Sequence, residues 1–234
     1  EMTHENLSNL INFYGSPRFI SCGVDDVSIA VCPFHHLYGI IIFTNTLLTG
    51  IVNVLMTKFE KETYLKLIES HKATVLFIVP PIATLLAKSS IVDDYNLSSL
   101  KTVFSCAAPL GGDIQDVLNK KLNLPIQQLY GMTEMSGAIT AFPKDAYVKR
   151  KAGCVGILLP GVLGMVKDLG GNKALSPNQP GELCFKGKFI MKGYLNNTAA
   201  SEMLLNEDGF LITGDLGYYD EDGYFYVIDR LKEL

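Results

Sequence analysis

A chain of 234 residues that is 48% hydrophobic and 19% charged holds enough apolar material for one large core or two smaller ones, which excludes a disordered or fibrous protein. Its formal net charge of -4, with both signs scattered along the chain, gives no electrostatic reason to bind DNA, RNA or an anionic membrane surface. The five cysteines, Cys22, Cys32, Cys106, Cys154 and Cys184, are odd in number and contain no C-x-x-C pair, so neither a disulfide framework nor a zinc site is indicated and a reducing intracellular compartment is expected.

Over residues 1–140 apolar runs bounded by turn residues alternate with helical patterns, the signature of an α/β fold with a parallel sheet covered by helices. Strands are predicted at 27–32, 75–79, 102–105 and 126–130, with a helix-like segment before each of the last three. The most apolar stretch, 38–56, approaches transmembrane length, but Gly39, Thr44, Asn45, Thr46, Gly50 and Asn53 interrupt it. It reads as a buried helix and strand, not a membrane span. Before the last strand, Ile114, Val117, Leu118 and Leu122 share one helical face behind the start signal Gly111-Gly112-Asp113, which completes a βαβ unit. From about residue 150 the texture changes to short strands separated by the turn signals Gly170-Gly171-Asn172, Asp208-Gly209 and Asp220-Glu221-Asp222-Gly223, with a hairpin strand over 224–228. This predicts a small β-rich subdomain.

The strands are followed by Pro33-Phe34-His35-His36, Pro80-Pro81, Cys106-Ala107-Ala108-Pro109 and Gly131-Met132-Thr133-Glu134. In open α/β sheets ligands bind outside the carboxyl ends of the strands, so these segments predict one composite site. Tyr130-Gly131-Met132-Thr133-Glu134 concentrates the types a nucleotide site uses. An aromatic face stacks on a base, glycine lets backbone approach closely, a hydroxyl bonds a phosphate oxygen and a carboxylate helps hold magnesium. On spacing alone an ordinary loop is the alternative, and Asp215 after Gly214, taken alone, reads first as a turn aspartate. His35 and His36 are adjacent, so in an extended segment their side chains diverge, and metal ligation by them is not expected. Cys106 reads as a small packing hydrophobe without a cationic neighbour to activate it.

The segment Tyr130 to Glu134 resembles the central signature of the adenylate-forming, AMP-binding superfamily of acyl-CoA synthetases, 4-coumarate-CoA ligases and beetle luciferases. Gly181-Glu182-Leu183 with Gly193-Tyr194, Thr213-Gly214-Asp215, and the run from Tyr224-Phe225-Tyr226 through Asp229-Arg230-Leu231-Lys232-Glu233-Leu234 resemble its remaining signatures in order, as does Pro33-Phe34-His35-His36. The resemblance implies activation of a carboxylic acid by ATP as acyl-AMP with release of pyrophosphate, then transfer to CoA, with ATP, magnesium and CoA as cofactors.

Carried onto this sequence, it implies that Tyr130, with Gly131 and Met132, lines the adenine pocket, that Thr133 contacts the phosphate, and that Glu134 sits by magnesium. Asp215 would accept bonds from both ribose hydroxyls and Arg230 would also reach the ribose. Cys106, Ala107, Ala108 and Pro109 would form the loop between the adenine and acyl pockets, richer in glycine in luciferases. His36 would border the substrate carboxylate and Tyr38 and Gly137 the acyl group; for Tyr38 a core position is the alternative. Asp229 would be the hinge to a smaller C-terminal domain. The implied division is 1–145 (α/β), 146–228 (β-rich, distorted barrel-like) and 229–234 (start of the hinge). Both ends are expected to be cuts, with the phosphate loop before Glu1 and the adenylation lysine beyond Leu234, so this piece alone is expected to be inactive. The alternatives are a luciferase-type monooxygenase, disfavoured by Gly137 and by the bulk of Cys106 and Ala107, and a non-catalytic nucleotide-binding relative. A peroxisomal or cytoplasmic location is expected.

Overall fold

Val75-Leu76-Phe77-Ile78 is buried along its whole length, as a strand covered on both faces must be. In the computed structural model, which describes residues 1–14, 16, 18–19, 22–143, 151, 153–171 and 173–231, this strand is the middle of a five-stranded parallel sheet. The chain order is α1 (His4–Tyr14), β1 (Val27–Ala30), α2 (Leu37–Thr49), β2 (Val52–Leu55), α3 (Lys61–Ser70), β3 (Val75–Ile78), α4 (Pro80–Lys88), β4 (Thr102–Ser105), α5 (Gly112–Leu122) and β5 (Ile126–Gln128). The sheet runs β2-β1-β3-β4-β5. Because side chains alternate across a strand, Leu76 and Ile78 enter one core with Tyr64, Leu65, Ile68, Leu86 and Leu118 from α3, α4 and α5. Val75 and Phe77 enter the other, with Leu10 of α1 and Tyr38 and Ile41 of α2.

The rest of the chain is antiparallel. β6 (Tyr130–Met132), β7 (Gly137–Ala141) and β8 (Ile157–Leu158) form a three-stranded sheet. β9 (Leu163–Lys167), β10 (Gly181–Lys186), α6 (Thr198–Glu202), β11 (Leu211–Tyr219) and β12 (Phe225–Arg230) follow, with strand order β12-β11-β10-β9. Phe185, Leu211 and Phe225 join the same core as Tyr38 and Phe77, so both sheet systems share one apolar interior. The expected boundary at 145/146, Asn172 and the terminal 232–234 lie outside the described residues.

Three expectations are revised. The run 126–130 is two strands: Leu129 still donates its N–H to Ser105 O in the parallel sheet, and from Tyr130 the backbone pairs with β7 instead. On α5, Ile114 and Leu118 are buried but Val117 is 45% exposed. Gln115 takes the inward place because its amide satisfies buried backbone, donating to Ile126 O and accepting from Gly153 N. The apolar stretch 38–56 is a helix and a strand, α2 and β2, but buried only on one side. Leu37, Tyr38, Ile41 and Ile42 face inward, whereas Phe43, Leu47 and Leu48 are exposed, as are Val52 and Leu55 on β2, the sheet's edge. Among the described residues no helix is long and apolar enough to cross a membrane.

Candidate active site

The switch of sheets at Leu129 puts Tyr130 opposite the β11–β12 hairpin, where Asp215 pairs directly with Arg230. The Tyr130 hydroxyl donates to Asp215 Oδ2 at 2.6 Å and Arg230 Nε lies 3.2 Å from Asp215 Oδ1. Burial, then the charge of Asp215, holds the Tyr130 phenol far above its ordinary pKa, so it stays a donor. The Asp215 side chain is 5% exposed against 61% for Arg230. Two contacts set its position: Asp215 N–H donates to Thr213 Oγ1 at 3.0 Å, and the Thr213 hydroxyl donates to Leu183 O at 2.7 Å. Glu182 Oε1 accepts from Gly214 N–H at 3.2 Å while Lys167 pairs with its Oε2 at 3.0 Å. The Gly-Glu-Leu and Thr-Gly-Asp segments are thus one braced corner. It opens on a cavity of about 370 Å3 lined by Tyr130, Gly131, Asp215, Asp229, Arg230 and the loop Ala107-Ala108-Pro109, with Leu129, Val155 and Val227 behind.

A second cavity of about 280 Å3 adjoins it and shares Ala107, Leu129, Gly131 and Arg230. Its other walls are His36, Tyr38, Ile41, Cys106, Met132, Thr133, Glu134 and Gly137. His36 is the N-cap of α2, its Nδ1 accepting from Tyr38 N–H at 3.1 Å. In the neutral ring the proton therefore sits on Nε2, a donor for a carboxylate. Tyr38 is both wall and core: it lines this cavity and packs edge-on against Phe77 at 6.5 Å. Gly137 has φ +143°, and a Cβ there would come within 2.7 Å of Leu10 Cδ1 and 3.3 Å of Ile41 Cδ1. Any side chain at this point is opposed by both backbone conformation and space.

The partition between the cavities is the loop after β4. Cys106 N–H donates to Ile78 O at 3.2 Å at its start. At its end Gln128 bonds both backbone groups of Leu110, each at 3.0 Å, and its amide nitrogen also donates to Gln115 Oε1. Between these anchors Ala107 has φ +78°, a left-handed conformation that costs a non-glycine residue about 1–2 kcal/mol. Burial pushes the Cys106 thiol up to about 11, which keeps it protonated and unreactive at neutral pH.

Thr133 and Glu134 occupy a single 3-10 turn, Thr133–Met135. Among the described residues the partner of the Glu134 carboxylate is Tyr194, whose hydroxyl donates to Oε1 at 2.6 Å. The residues to which the resemblance gave a site role thus line one or other of the two cavities, whereas Pro33, Phe34, His35 and Pro80-Pro81, expected to share the composite site, line neither. Asp229 is exposed at the mouth of the larger. What sequence reasoning missed is the support: Glu182, Lys167, Gln115, Gln128 and Tyr194. Only the Gly-Glu-Leu and Gly-Tyr segments carried a signal, and it named no role. A hard-oxygen cation such as magnesium needs carboxylate and phosphate oxygens, and Glu134, with one carboxylate oxygen not engaged by a described residue, fits that requirement.

The model of a family described as AMP-binding enzyme matches residues 1–195. The chain is 42% identical to a probable 4-coumarate–CoA ligase 1 of Dictyostelium discoideum over 90% of its own length and 38% of that protein's. It is 38% identical to a luciferin 4-monooxygenase of Nipponoluciola cruciata over 100% of its length and 42% of that protein's. It therefore spans about two fifths of these relatives. The solved structure of ATP-bound MatB from Rhodopseudomonas palustris superposes with a TM-score of 0.87 at 32% identity, covering all of this chain and 45% of that one.

Proposed function

The chain belongs to the AMP-binding enzyme family, and from that premise we propose that the complete enzyme activates a carboxylic acid as acyl-AMP and passes the acyl group to the thiol of CoA. The observation that carries this reading is the junction of two cavities, one walled by Tyr130 and Asp215 and the other by His36, Tyr38 and Glu134. A nucleotide in the first would meet an acid held in the second at their shared edge. Asp215 takes the ribose hydroxyls, Tyr130 and the loop 107–109 flank the adenine, Thr133 holds a phosphate oxygen, and His36 Nε2–H orients the carboxylate. One carboxylate oxygen then bonds to the α-phosphorus as the bond to the β-phosphate oxygen breaks, and pyrophosphate leaves with the electron pair. In the second step the CoA sulfur bonds to the acyl carbon, the carbon–oxygen bond to AMP breaks, and the thiol proton passes to solvent. The residues contribute orientation and charge stabilisation. Glu134 would hold magnesium, which would supply charge to offset that of the phosphates.

Acid-dependent exchange of pyrophosphate into ATP, followed by thioester formation when CoA is added, is the expected result. ATP binding with no exchange for any acid in a broad panel would favour a non-catalytic relative. The similarity to a luciferin 4-monooxygenase supports a second reading, oxidation of the adenylate by oxygen, which predicts light from luciferin, ATP and oxygen.

A further inference from the structure

The loop after β10 reaches back to the Tyr130-to-Glu134 segment at two points. Met191 N–H donates to the Glu134 backbone oxygen at 2.8 Å, and the Tyr194 hydroxyl donates to the Glu134 carboxylate at 2.6 Å across 60 residues of sequence. The aim of Tyr194 is fixed from behind. Its N–H donates to Ser201 Oγ at 2.8 Å, and the Ser201 hydroxyl donates to Asn197 O at 2.8 Å. Gly193 just before it has φ +152°, and a Cβ there would lie 2.9 Å from Ser201 Oγ, so the approach needs glycine.

We propose that Tyr194 is a positioning residue for Glu134, pinning Oε1 so that the second carboxylate oxygen is presented to the magnesium–triphosphate. This rests on the reading of Glu134 given above. A freely rotating glutamate must be ordered each time the cation binds, and a phenol that orders it beforehand removes that entropic cost from cation binding. Glu134 sits between β6 and β7 and Tyr194 in the loop after β10, so the carboxylate is held between segments of the two antiparallel sheets.

The test is Tyr194→Phe in the complete enzyme, which keeps the ring and removes only the hydroxyl, beside Glu134→Gln. Acid-dependent pyrophosphate release is followed against free magnesium, with thermal unfolding of each variant. Tyr194→Phe is expected to raise the magnesium needed for half-maximal rate by about three- to tenfold. The rate at saturating magnesium should stay within about twofold, since the carboxylate itself remains. A purely structural tyrosine would lower the unfolding temperature and leave the magnesium response in place, which overturns the proposal. An unchanged magnesium response in Glu134→Gln would instead overturn the reading of the site itself. A shift in Glu134→Gln with none in Tyr194→Phe removes only the role of Tyr194.

Discussion

Asp215→Ala is expected to weaken ATP binding by about 2 to 4 kcal/mol, or about 30- to 900-fold. A carboxylate offers about four acceptor positions. Tyr130 and Arg230 take one each, which leaves two for the ribose hydroxyls of the proposed nucleotide. The same change also touches stability. Arg230 is 61% exposed, so its ion pair is worth at most about 1 kcal/mol. The larger loss comes from the Tyr130 hydroxyl left without its acceptor, about 1 to 3 kcal/mol. Tyr130→Phe separates the two effects: it removes the Tyr–Asp bond but keeps the carboxylate, so ATP affinity should fall less than about fivefold. Calorimetric titration of the complete enzyme with ATP, beside thermal unfolding, reads both quantities. If Asp215→Ala unfolds earlier yet binds ATP within twofold of wild type, Asp215 serves the corner alone and the ribose assignment is wrong.

Cys106→Gly combined with Ala107→Gly thins the partition beside the second cavity, and should raise kcat/KM for a cinnamate-type acid relative to a medium-chain fatty acid about tenfold, or about 1.4 kcal/mol. No shift would mean that these residues do not border the acyl group. With its thiol pushed up to about 11 from an ordinary 9.0, Cys106 should alkylate at pH 8 about 100-fold more slowly in the folded protein than in urea, since only the thiolate reacts; equal rates would refute this. Asp220 is subject to burial, which raises its pKa, but Lys151 and the Tyr224 amide more than offset this and hold it below the ordinary 3.8. Its contribution to stability is therefore complete above about pH 4 and is lost as pH falls through the lower folded value. Asp220→Asn should flatten the acid limb of the stability profile below pH 4 and leave the dependence near neutrality unchanged.

The parallel sheet was legible because its strands are short, apolar and closed by turn residues. The parts of the candidate site that follow those strands, His36, Cys106 to Pro109 and Thr133-Glu134, were legible from their place at the carboxyl ends, whereas Asp215 and Arg230, on antiparallel β11 and β12, came only from the family resemblance. The break at Leu129 was not. Ile126 through Tyr130 carries one continuous β pattern, and only the pairing partners, Ser105 on one side and Thr140 on the other, show that it belongs to two sheets. Helical periodicity chose Val117 for the buried face of α5. It has no means of weighing Gln115, whose inward position depends on backbone acceptors and donors supplied by Ile126 and Gly153. The same limit hid Tyr194. A tyrosine in a turn-rich segment has no local feature tying it to a glutamate 60 residues earlier, and long-range side-chain pairs of this kind emerge only from the packed chain.

The partition loop has a consequence for how this family can diversify. Its ends are fastened by Ile78 and by the reciprocal grip of Gln128 on Leu110, and the residues between, Ala107, Ala108 and Pro109, are exposed towards the cavities. Exchanging a side chain in that span reshapes the opening between the two cavities without disturbing either mount. Two or three positions can therefore change the shape of the passage while the sheet and the braced corner stay as they are.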